Sequence, residues 1–292
     1  MKKPIILTAL YILISIPAIF AAGPMNVRFH DETADTTLIN SILVDLAQND
    51  PGSPGERVAM LGQKFIGTPY AAHTLEAPDG EDERLTVNLS ELDCTTFVET
   101  VFALAKTVGE GRTSWRDFVN NLESIRYRGG ELNGYPSRLH YIADWIVDNT
   151  YRGNIIDATN LFPAISYTTK SIDFMSNHRD NYPALKDSLN FERVKSTELG
   201  YRNHRFPFVK TRNLSELPTR QAFRNGDAVA LTSSLKDLDV THLGLIIIVD
   251  GEPHLLHASS SLGKVVLSDE KLADFMKRNR SLTGVRIMRL KD

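Results

Sequence analysis

The chain has 292 residues, of which 42% are hydrophobic and 24% charged, and its formal net charge is −3 at pH 7. A chain of this length and hydrophobic content can bury a substantial core, as one elaborated domain or as two intimate ones. The mild acidity argues against nucleic acid or an anionic membrane surface as the partner.

The first 22 residues have the pattern of an export signal. Lys2 and Lys3 give a positive start, residues 5–20 form an apolar run, and residues 21–23 are small. The apolar run is short for a membrane span, which needs about 20 residues. We therefore expect an exported, periplasmic protein with no membrane attachment after cleavage of residues 1–22, and an uncleaved anchor is the alternative.

Periodic patterns predict two helices and a strand before the only cysteine. Apolar residues recur at helical spacing over residues 36–49 and again over residues 56–65. Residues 85–89 alternate apolar and polar side chains, as a half-buried strand does. A largely apolar helix then follows Asp93 and ends near Gly109.

Cys94 lies where the predicted strand leads into this helix. Asp93 can cap the helix, which puts the Cys94 thiol in its first turn. The positive end of a helix favours the thiolate, which is the nucleophilic form. A single cysteine cannot form an internal disulfide, so an exported chain would carry a free thiol. A buried apolar cysteine is the alternative, and the export signal favours a catalytic one.

Residues 107–225 are predicted to form a helix-rich insertion. The clearest helices are expected at residues 114–125 and 137–149, with a weaker one at residues 173–195. Residues 205–219 are predicted to be an ordered loop.

From residue 226 onward the pattern changes to the period of strands. Strands joined mostly by short turns imply an antiparallel sheet, with a short helix at residues 272–278. Helices first and a sheet last is an α+β pattern. The strands are expected at residues 226–231, 241–249, 253–260, 264–267 and 284–290.

A hairpin in this sheet brings two of the eight histidines together. Residues 250–251, Asp-Gly, are typical of a two-residue hairpin turn. Pairing outward from that turn sets His257 opposite Gly244 and Ser259 opposite His242, all on one face. His242 and His257 are then diagonal neighbours, close enough for their side chains to meet.

Such a pair can activate a thiol, because a nucleophilic thiol needs an imidazole base and the base needs an orienting group. Pro253 complicates the register, since proline in a strand indicates an edge or a bulge. The alternative is a hairpin that only fills the core.

The order of these elements resembles the NlpC-like superfamily of bacterial cell-wall cysteine peptidases and amidases, which has a papain-like fold. The resemblance implies a core in which the cysteine-bearing helix packs on a C-terminal antiparallel sheet. Four local matches carry it: Gly67-Thr68-Pro69-Tyr70, Asp93-Cys94-Thr95-Thr96-Phe97-Val98, Gly226-Asp227-Ala228-Val229, and Asp239-Val240-Thr241-His242-Leu243-Gly244 followed by His257-Ala258-Ser259.

The resemblance also implies roles for these residues. Cys94 would be the nucleophile, His242 the general base and acid, and His257 the residue that fixes the His242 tautomer. Tyr70 matches a family tyrosine near the nucleophile and would bind substrate or assist the oxyanion site. Ser259 is expected on the substrate side of the hairpin.

The long separation of Cys94 and His242, 148 positions (242 minus 94), departs from typical members. An insertion at this point looks like the branch that acts as N-acetylmuramoyl-L-alanine amidase, which cuts between the muramic acid lactyl group and L-alanine. That branch carries segments similar to residues 127–130 and 137–141. The resemblance implies a single catalytic domain over residues 23–292.

The amidase reading leaves the role of Asp93 open. In peptide-cutting members the matching aspartate contacts the free amine of L-alanine, which an amidase substrate lacks, so Asp93 is either only a helix cap or a contact to a substrate amide. We further hypothesise that Arg138 and His140 bind substrate carboxylate or sugar groups and that Tyr141 stacks on a sugar ring. The alternative is that residues 139, 142 and 145 belong to the helix core and that Arg138 lies on a solvated face.

The predicted partner is therefore peptidoglycan or a soluble muropeptide. Competing functions are a γ-D-glutamyl–meso-diaminopimelate endopeptidase and a non-catalytic peptidoglycan-binding protein. The sequence contains no HExxH run and no paired cysteine ligands, so we expect neither a metal nor another cofactor. Composition does not predict the oligomeric state.

Overall fold

The computed structural model describes residues 26–78 and 81–291, and the predicted export signal lies outside them. Within these ranges no helix combines the length and the apolar character that crossing a membrane requires.

The elements before and at the cysteine follow the predicted order, with bounds shifted by a few residues. Two short strands pair in parallel as a small separate sheet. Along the chain, two helices lie between the two strands and a third helix follows the second strand. In chain order the elements are β1 (Val27–Phe29), α1 (Glu32–Gln48), α2 (Pro54–Lys64), β2 (Leu85–Val87) and α3 (Cys94–Gly109).

The predicted insertion contains strands as well as helices, so its description as purely helix-rich is incomplete. Three strands of this segment join the C-terminal sheet. The elements are α4 (Trp115–Arg126), α5 (Ile142–Tyr151), β3 (Ile155–Asp157), β4 (Ile165–Lys170), α6 (Phe174–Asn177), α7 (Ser188–Gly200), β5 (His204–Lys210) and α8 (Leu217–Ala222).

The predicted loop at residues 205–219 is wrong, because this segment contains β5 and α8. Phe206 and Phe208 are buried, but Pro207 between them interrupts the sequence signal for a strand. Pro207 pairs with β4 on one side of β5. On the other side, β5 pairs with the last strand of the sheet through Val209 and Lys210, so Pro207 has no ladder partner there. A proline is tolerated where no ladder hydrogen bond is required of it.

Helix α5 starts at Ile142, later than the predicted residue 137. Residues 135–137 form a 3-10 turn instead. No side chain next to the helix caps it, and the Asp239 carboxylate accepts a 2.6 Å hydrogen bond from Ala143 N–H. This cap comes from a segment about a hundred residues away, so local sequence patterns cannot reveal it.

The C-terminal elements complete the sheet. Within the described residues this sheet has eight strands in the order β4-β5-β10-β6-β7-β8-β9, with β3 beside β10, and neighbouring strands are antiparallel. The elements are β6 (Ala228–Ser233), β7 (Val240–Val249), β8 (Glu252–Ser259), β9 (Lys264–Lys271), α9 (Leu272–Arg278) and β10 (Leu282–Leu290).

The predicted hairpin turn and register are confirmed. Asp250 and Gly251 have φ values of 50° and 77°, which a two-residue turn of this type requires. Val249 pairs with Glu252, and the ladder continues to Leu245 and Leu256. The register shift that Pro253 suggested lies between β8 and β9 and leaves the β7–β8 pairing regular.

Helix α3 lies against one face of the sheet and is buried nearly all round. A helix that is apolar on all sides belongs in the interior of a domain. Its side chains join those of α2, β7 and β8 in the largest apolar core, while α9 covers the opposite face of the sheet. A third, smaller core lies between α5, α6 and α7.

A buried ion pair ties α3 to α4 and β2. Arg126 Nε lies 2.6 Å from Glu99 Oε2, and the two side chains are 2% and 3% exposed. Arg126 Nη1 also donates to the Thr86 carbonyl at 2.6 Å. Burial raises the pKa of Glu99, and the charge of Arg126 acts against that shift. Breaking one side of a buried pair leaves an uncompensated charge.

We expect Arg126→Met to lower the free energy of unfolding by about 3–5 kcal/mol, because Glu99 would be left buried without its counter-ion. Urea denaturation followed by circular dichroism measures the change. The control is Arg112→Met, which removes the exposed ion pair with Asp117 and should cost less than about 1 kcal/mol. Equal losses in the two variants would contradict the assignment of Arg126 as an anchor.

Candidate active site

Cys94 is the first residue of α3, as predicted. Asp93 Oδ1 accepts hydrogen bonds from the N–H groups of Thr95 at 2.9 Å and Thr96 at 2.8 Å. Thr96 Oγ1 in turn accepts from Asp93 N–H at 2.9 Å, which completes a capping box. The cap therefore fixes the direction in which the Cys94 side chain leaves the helix.

The Cys94 thiol is neutral in this structure, contrary to the expectation of a thiolate. Burial, and to a smaller extent the neighbouring charge of Asp93, raise its pKa to about 11. A hydrogen bond from the Leu243 backbone lowers the pKa but does not compensate. Desolvation of the charged form thus outweighs the effect of the helix end.

His242 on β7 and His257 on β8 form the predicted diagonal pair. Nε2 of His242 and Nδ1 of His257 are 2.7 Å apart, and the ring planes are nearly perpendicular at 89°. Gly244 makes room for this arrangement, since a Cβ there would lie 2.9 Å from the Leu256 carbonyl oxygen and 3.1 Å from the His257 Cβ. The two imidazoles are therefore held by the hairpin register.

Both imidazoles are neutral at neutral pH. Burial, and to a smaller extent the neighbouring His257, lower the pKa of His242 to about 3. Burial lowers the pKa of His257 to about 4. In a neutral pair only one of the two facing nitrogens carries the proton. If Nε2–H of His242 donates to His257, then Nδ1 of His242 keeps a lone pair and can act as a base.

The Cys94 thiol contacts the backbone of β7 at the residue after His242. The Leu243 N–H that bonds the Cys94 sulfur belongs to the residue directly after His242. Within the described residues, 26–78 and 81–291, no direct hydrogen bond joins Cys94 to His242. The Leu243 contact and the packing of α3 against β7 therefore place the thiol at the β7 backbone, at the residue after His242.

Tyr70 lies beside the start of α3. It forms a parallel bridge with Leu92, and Ala71 N–H donates to the Leu92 carbonyl at 3.3 Å. Burial raises the pKa of Tyr70, and the charges of Cys94 and Asp93 add to this. The structure thus brings the tyrosine into the surroundings of the thiol.

Arg138 and His140 are held by the protein itself, which corrects the expectation that they face a substrate. Arg138 is buried and lies 2.9 Å from Glu76 Oε1 and 3.3 Å from Glu83 Oε1. A His140 ring nitrogen is 2.9 Å from the Tyr135 carbonyl oxygen. Burial and the charge of Arg138 lower the pKa of His140 to about 3. Arg138 therefore connects parts of the interior, and the half-buried His140 is held to the turn at residues 135–137.

Tyr141 and Ser259 are also engaged in internal contacts. The Tyr141 ring is 4% exposed, and its hydroxyl donates to Glu198 at 2.6 Å. It therefore presents no open ring for stacking on a sugar. Ser259 Oγ accepts from Leu262 N–H at 3.2 Å and lies 3.1 Å from Ser261 Oγ. Its hydroxyl caps the turn after β8.

Two further contacts were not found from the sequence. The Leu243 N–H can be assigned to the thiol only after α3 is placed on β7, because no residue pattern encodes that distance. Phe275 of α9 packs edge-on against His257, with ring centroids 5.4 Å apart. The helix at residues 272–278 was predicted, but the side of the sheet it covers was not.

We expect Asp93→Asn to lower the pH at which Cys94 becomes reactive. The asparagine keeps a helix-capping oxygen, while the negative charge that raises the thiol pKa is removed. The alkylation rate by iodoacetamide, measured against pH by intact mass, should rise toward about pH 11 in the parent protein and earlier in the variant. Asp274→Asn, at an exposed site in a salt bridge with Lys277, should leave the profile unchanged.

Removal of the Phe275 ring should raise the pKa of His257 above about 4, because burial is the cause of its low value. Titration of the imidazole signals of Phe275→Ala by nuclear magnetic resonance measures this. The matched control is Phe223→Ala, which removes another buried ring from the same core, one that packs on Phe162. An equal pKa change in both variants would show a general loosening of the core.

Comparison with known proteins places the chain in a family. The model of the AmiA-like family, described as N-acetylmuramoyl-L-alanine amidase-like, matches residues 60–285. The crystal structure of an N-acetylmuramoyl-L-alanine amidase from Bacteroides uniformis ATCC 8492 is 36% identical with a TM-score of 0.77. The match covers 82% of this chain and 100% of that one. No curated protein matches the chain significantly.

Two other solved structures are also similar. A protein from Bacteroides fragilis, provisionally assigned as a xylanase, is 38% identical with a TM-score of 0.74; the match covers 80% of this chain and 100% of that chain. A protein from Legionella pneumophila str. Philadelphia 1 shares the fold at 23% identity, with a TM-score of 0.66 and coverage of 89% and 97%. The family model matches more than half of the residues of this chain. The chain therefore belongs to the AmiA-like, N-acetylmuramoyl-L-alanine amidase-like family.

Proposed function

We propose that the protein is a cysteine hydrolase of peptidoglycan fragments that cleaves the amide between N-acetylmuramic acid and L-alanine. The observation that carries the proposal is the contact of the Cys94 thiol with the N–H of Leu243, the residue that follows His242 of the His242–His257 pair in β7. Membership of an amidase-like family of peptidoglycan hydrolases supports the substrate class.

The first step is attack on the lactyl carbonyl. His242 Nδ1 takes the proton of the Cys94 thiol as the sulfur bonds to the carbonyl carbon. With the thiol pKa raised to about 11 and the His242 pKa lowered to about 3, the resting pair is neutral. Proton transfer therefore accompanies attack, and His257 stabilises the imidazolium by accepting the hydrogen bond from His242 Nε2.

The tetrahedral intermediate carries a negative oxygen that needs donors. The Cys94 N–H is one of the first N–H groups of α3, which have no partner within a helix. It supplies one donor, and the Tyr70 hydroxyl supplies the second. Tyr70 is neutral at neutral pH because its pKa is raised, so its hydroxyl retains the proton to donate.

Collapse of the intermediate releases the peptide. The imidazolium of His242 protonates the departing amine of L-alanine, which leaves an acyl group on the Cys94 sulfur. A water molecule, deprotonated by His242, then attacks the thioester carbonyl and frees the muramic acid carboxylate. The thiol and the neutral imidazole are restored.

In this proposal the catalytic core has the papain-like arrangement of the NlpC-like superfamily. The packing of α3 on β7 and β8 supports it, as does the order of the thiol and the two imidazoles along the chain. Action on peptidoglycan fits an exported protein, and we place it in the periplasm.

Substrate contacts in the proposal are limited to Tyr70 and Asp93. The helix cap uses Asp93 Oδ1, so Oδ2 is available for a substrate amide. The proposal assigns no substrate contact to Arg138, His140, Tyr141 or Ser259, because each has at least one polar contact within the protein.

One observation favours a second activity. An unused carboxylate oxygen of Asp93 beside the thiol suits a free peptide amine, which the γ-D-glutamyl–meso-diaminopimelate endopeptidase would bind. A glycosidase, by contrast, needs two carboxyl groups across the scissile bond, whereas this site pairs a thiol with two imidazoles.

The test is hydrolysis of defined muropeptides by the parent protein and by Cys94→Ala. The parent should release peptides headed by free L-alanine, and Cys94→Ala should release none, because the acyl-enzyme cannot form without the sulfur. Mass spectrometry of the products measures both. The control is Ser261→Ala, which removes a hydroxyl that lies 3.1 Å from Ser259 Oγ in the turn after β8.

The products also separate the alternatives. A muramoyl dipeptide would identify the endopeptidase, and equal release by Cys94→Ala would overturn the nucleophile assignment. Binding of muropeptide without any release by the parent protein would indicate the non-catalytic binding protein. Activity that survives EDTA but not iodoacetamide supports the cysteine mechanism.

A further inference from the structure

The loop between β6 and β7, residues 234–239, is held by a lysine from the insertion. Lys170 is the last residue of β4, the strand at one edge of the sheet. Its ammonium group donates hydrogen bonds to three carbonyl oxygens at or within this loop, those of Ser233, of Leu235 at 2.5 Å and of Leu238 at 2.9 Å. An ammonium group has three N–H donors, so all of them are directed at this loop.

Further contacts attach the same loop to the insertion. Asp239 caps α5 through the N–H of Ala143, and the Asp237 carbonyl accepts from Asp173 N–H at 3.2 Å. Burial lowers the pKa of Lys170, and the charges of Asp239 and Asp237 act against that shift. Lysine is mostly a solvated surface residue, whereas this half-buried ammonium group has its partners in a single loop.

The loop leads into an irregular part of β7. Consecutive residues of β6 pair with Val240 and then with His242, so Thr241 is left without a partner on β6. Thr241 is therefore the extra residue of a β-bulge. A bulge bends its strand and changes the direction of the side chains next to it. The residue directly after this bulge is His242.

The start of β7 also has a ladder neighbour on one side only. Within the described residues, the ladder of β7 with β8 runs from Val249 to Leu245, and the pairs of residues 240–244 are with β6 alone. His242 belongs to this singly paired part, and its ring makes its hydrogen bond to His257. The direction of the imidazole thus depends on β6 and on the contacts that fix the loop ahead of the bulge.

We propose that Lys170 is a positioning residue for His242: its ammonium group fixes the loop ahead of the bulge and so sets the direction of the imidazole. This inference rests on the proposed function, in which His242 is the base. It gives the insertion a part in the reaction, because a side chain of the insertion then determines where a base of the C-terminal sheet points.

Three variants test the inference. Lys170→Met keeps an apolar side chain and removes the three donors. Lys170→Arg is the milder change, because it keeps the charge and the N–H donors but arranges them in a plane. Lys236→Met is the matched control: Lys236 is an exposed residue of the same loop, with no hydrogen bond or ion pair to the described part of the chain. It removes the same charge.

The first measurement is a titration of the imidazole signals by nuclear magnetic resonance, without substrate. Burial is the main cause that lowers the pKa of His242 to about 3. A loosened loop admits water, so Lys170→Met should raise this pKa toward the ordinary value of about 6.5. Lys170→Arg should raise it less, and Lys236→Met should leave it at the parent value. His242→Gln, which lacks the signal, assigns it.

The second measurement is hydrolysis of a muropeptide. In Lys170→Met, kcat should fall by about 100-fold, the size expected when a catalytic group is misplaced by about 1 Å. KM should stay near the parent value, because Tyr70 and Asp93 are left in place. Urea denaturation of the same variants measures any loss of stability.

Unchanged His242 signals in every folded Lys170 variant would overturn the proposal, whatever the loss of stability, because Lys170 would then only stabilise the fold. An equal shift in Lys236→Met would also overturn it, since the loss of any charge from the loop would have the same effect. Parent kcat in Lys170→Met would support the amidase and overturn the positioning role. Shifted signals in a parent protein that hydrolyses nothing would support the link from Lys170 to His242 and place the failure in the proposed function.

Discussion

The structure depends on keeping the start of α3 in contact with β7. The thiol and the imidazole come from segments 148 positions apart (242 minus 94), and one backbone hydrogen bond joins the thiol to Leu243, the residue after His242. That contact is a weak interaction by itself, worth about 1 kcal/mol. It is maintained because the apolar body of α3 is buried on the sheet and because the Glu99–Arg126 pair fixes the helix against α4 and β2. The geometry of the site is therefore a property of the whole core.

Burial has a second effect on the same groups, since it suppresses their charges. The pKa of the Cys94 thiol is raised to about 11, and those of His242 and His257 are lowered to about 3 and 4. A neutral thiol is less exposed to oxidation than a thiolate, which suits a free cysteine in an exported protein. In the proposed mechanism, charge then develops only when substrate fills the site, at the moment when His257 and the helix N–H groups can stabilise it.

The sequence was most informative where function depends on local geometry. The Asp93 cap, the Asp250–Gly251 turn and the His242–His257 diagonal all follow from short-range rules, and the structure agrees with each. Predictions for the insertion were less successful, because its elements are set by distant partners. Strand β5 is stabilised by β4, α5 is capped by Asp239, and Arg138 is neutralised by Glu76 and Glu83. The periodicity of a segment carries no information about its contacts with residues far away in the chain.

The position of β10 has a consequence for how the chain acquires its shape. This last strand lies between β5 of the insertion and β6 of the hairpin region, and it also pairs with β3. Residues 282–290 must therefore be present before β5 and β6 can belong to one sheet. Until then the strands on both sides of the gap have exposed edges, which are prone to pair with other chains. Chains truncated before β10 would lack the strand that joins the insertion to the sheet of the histidine hairpin.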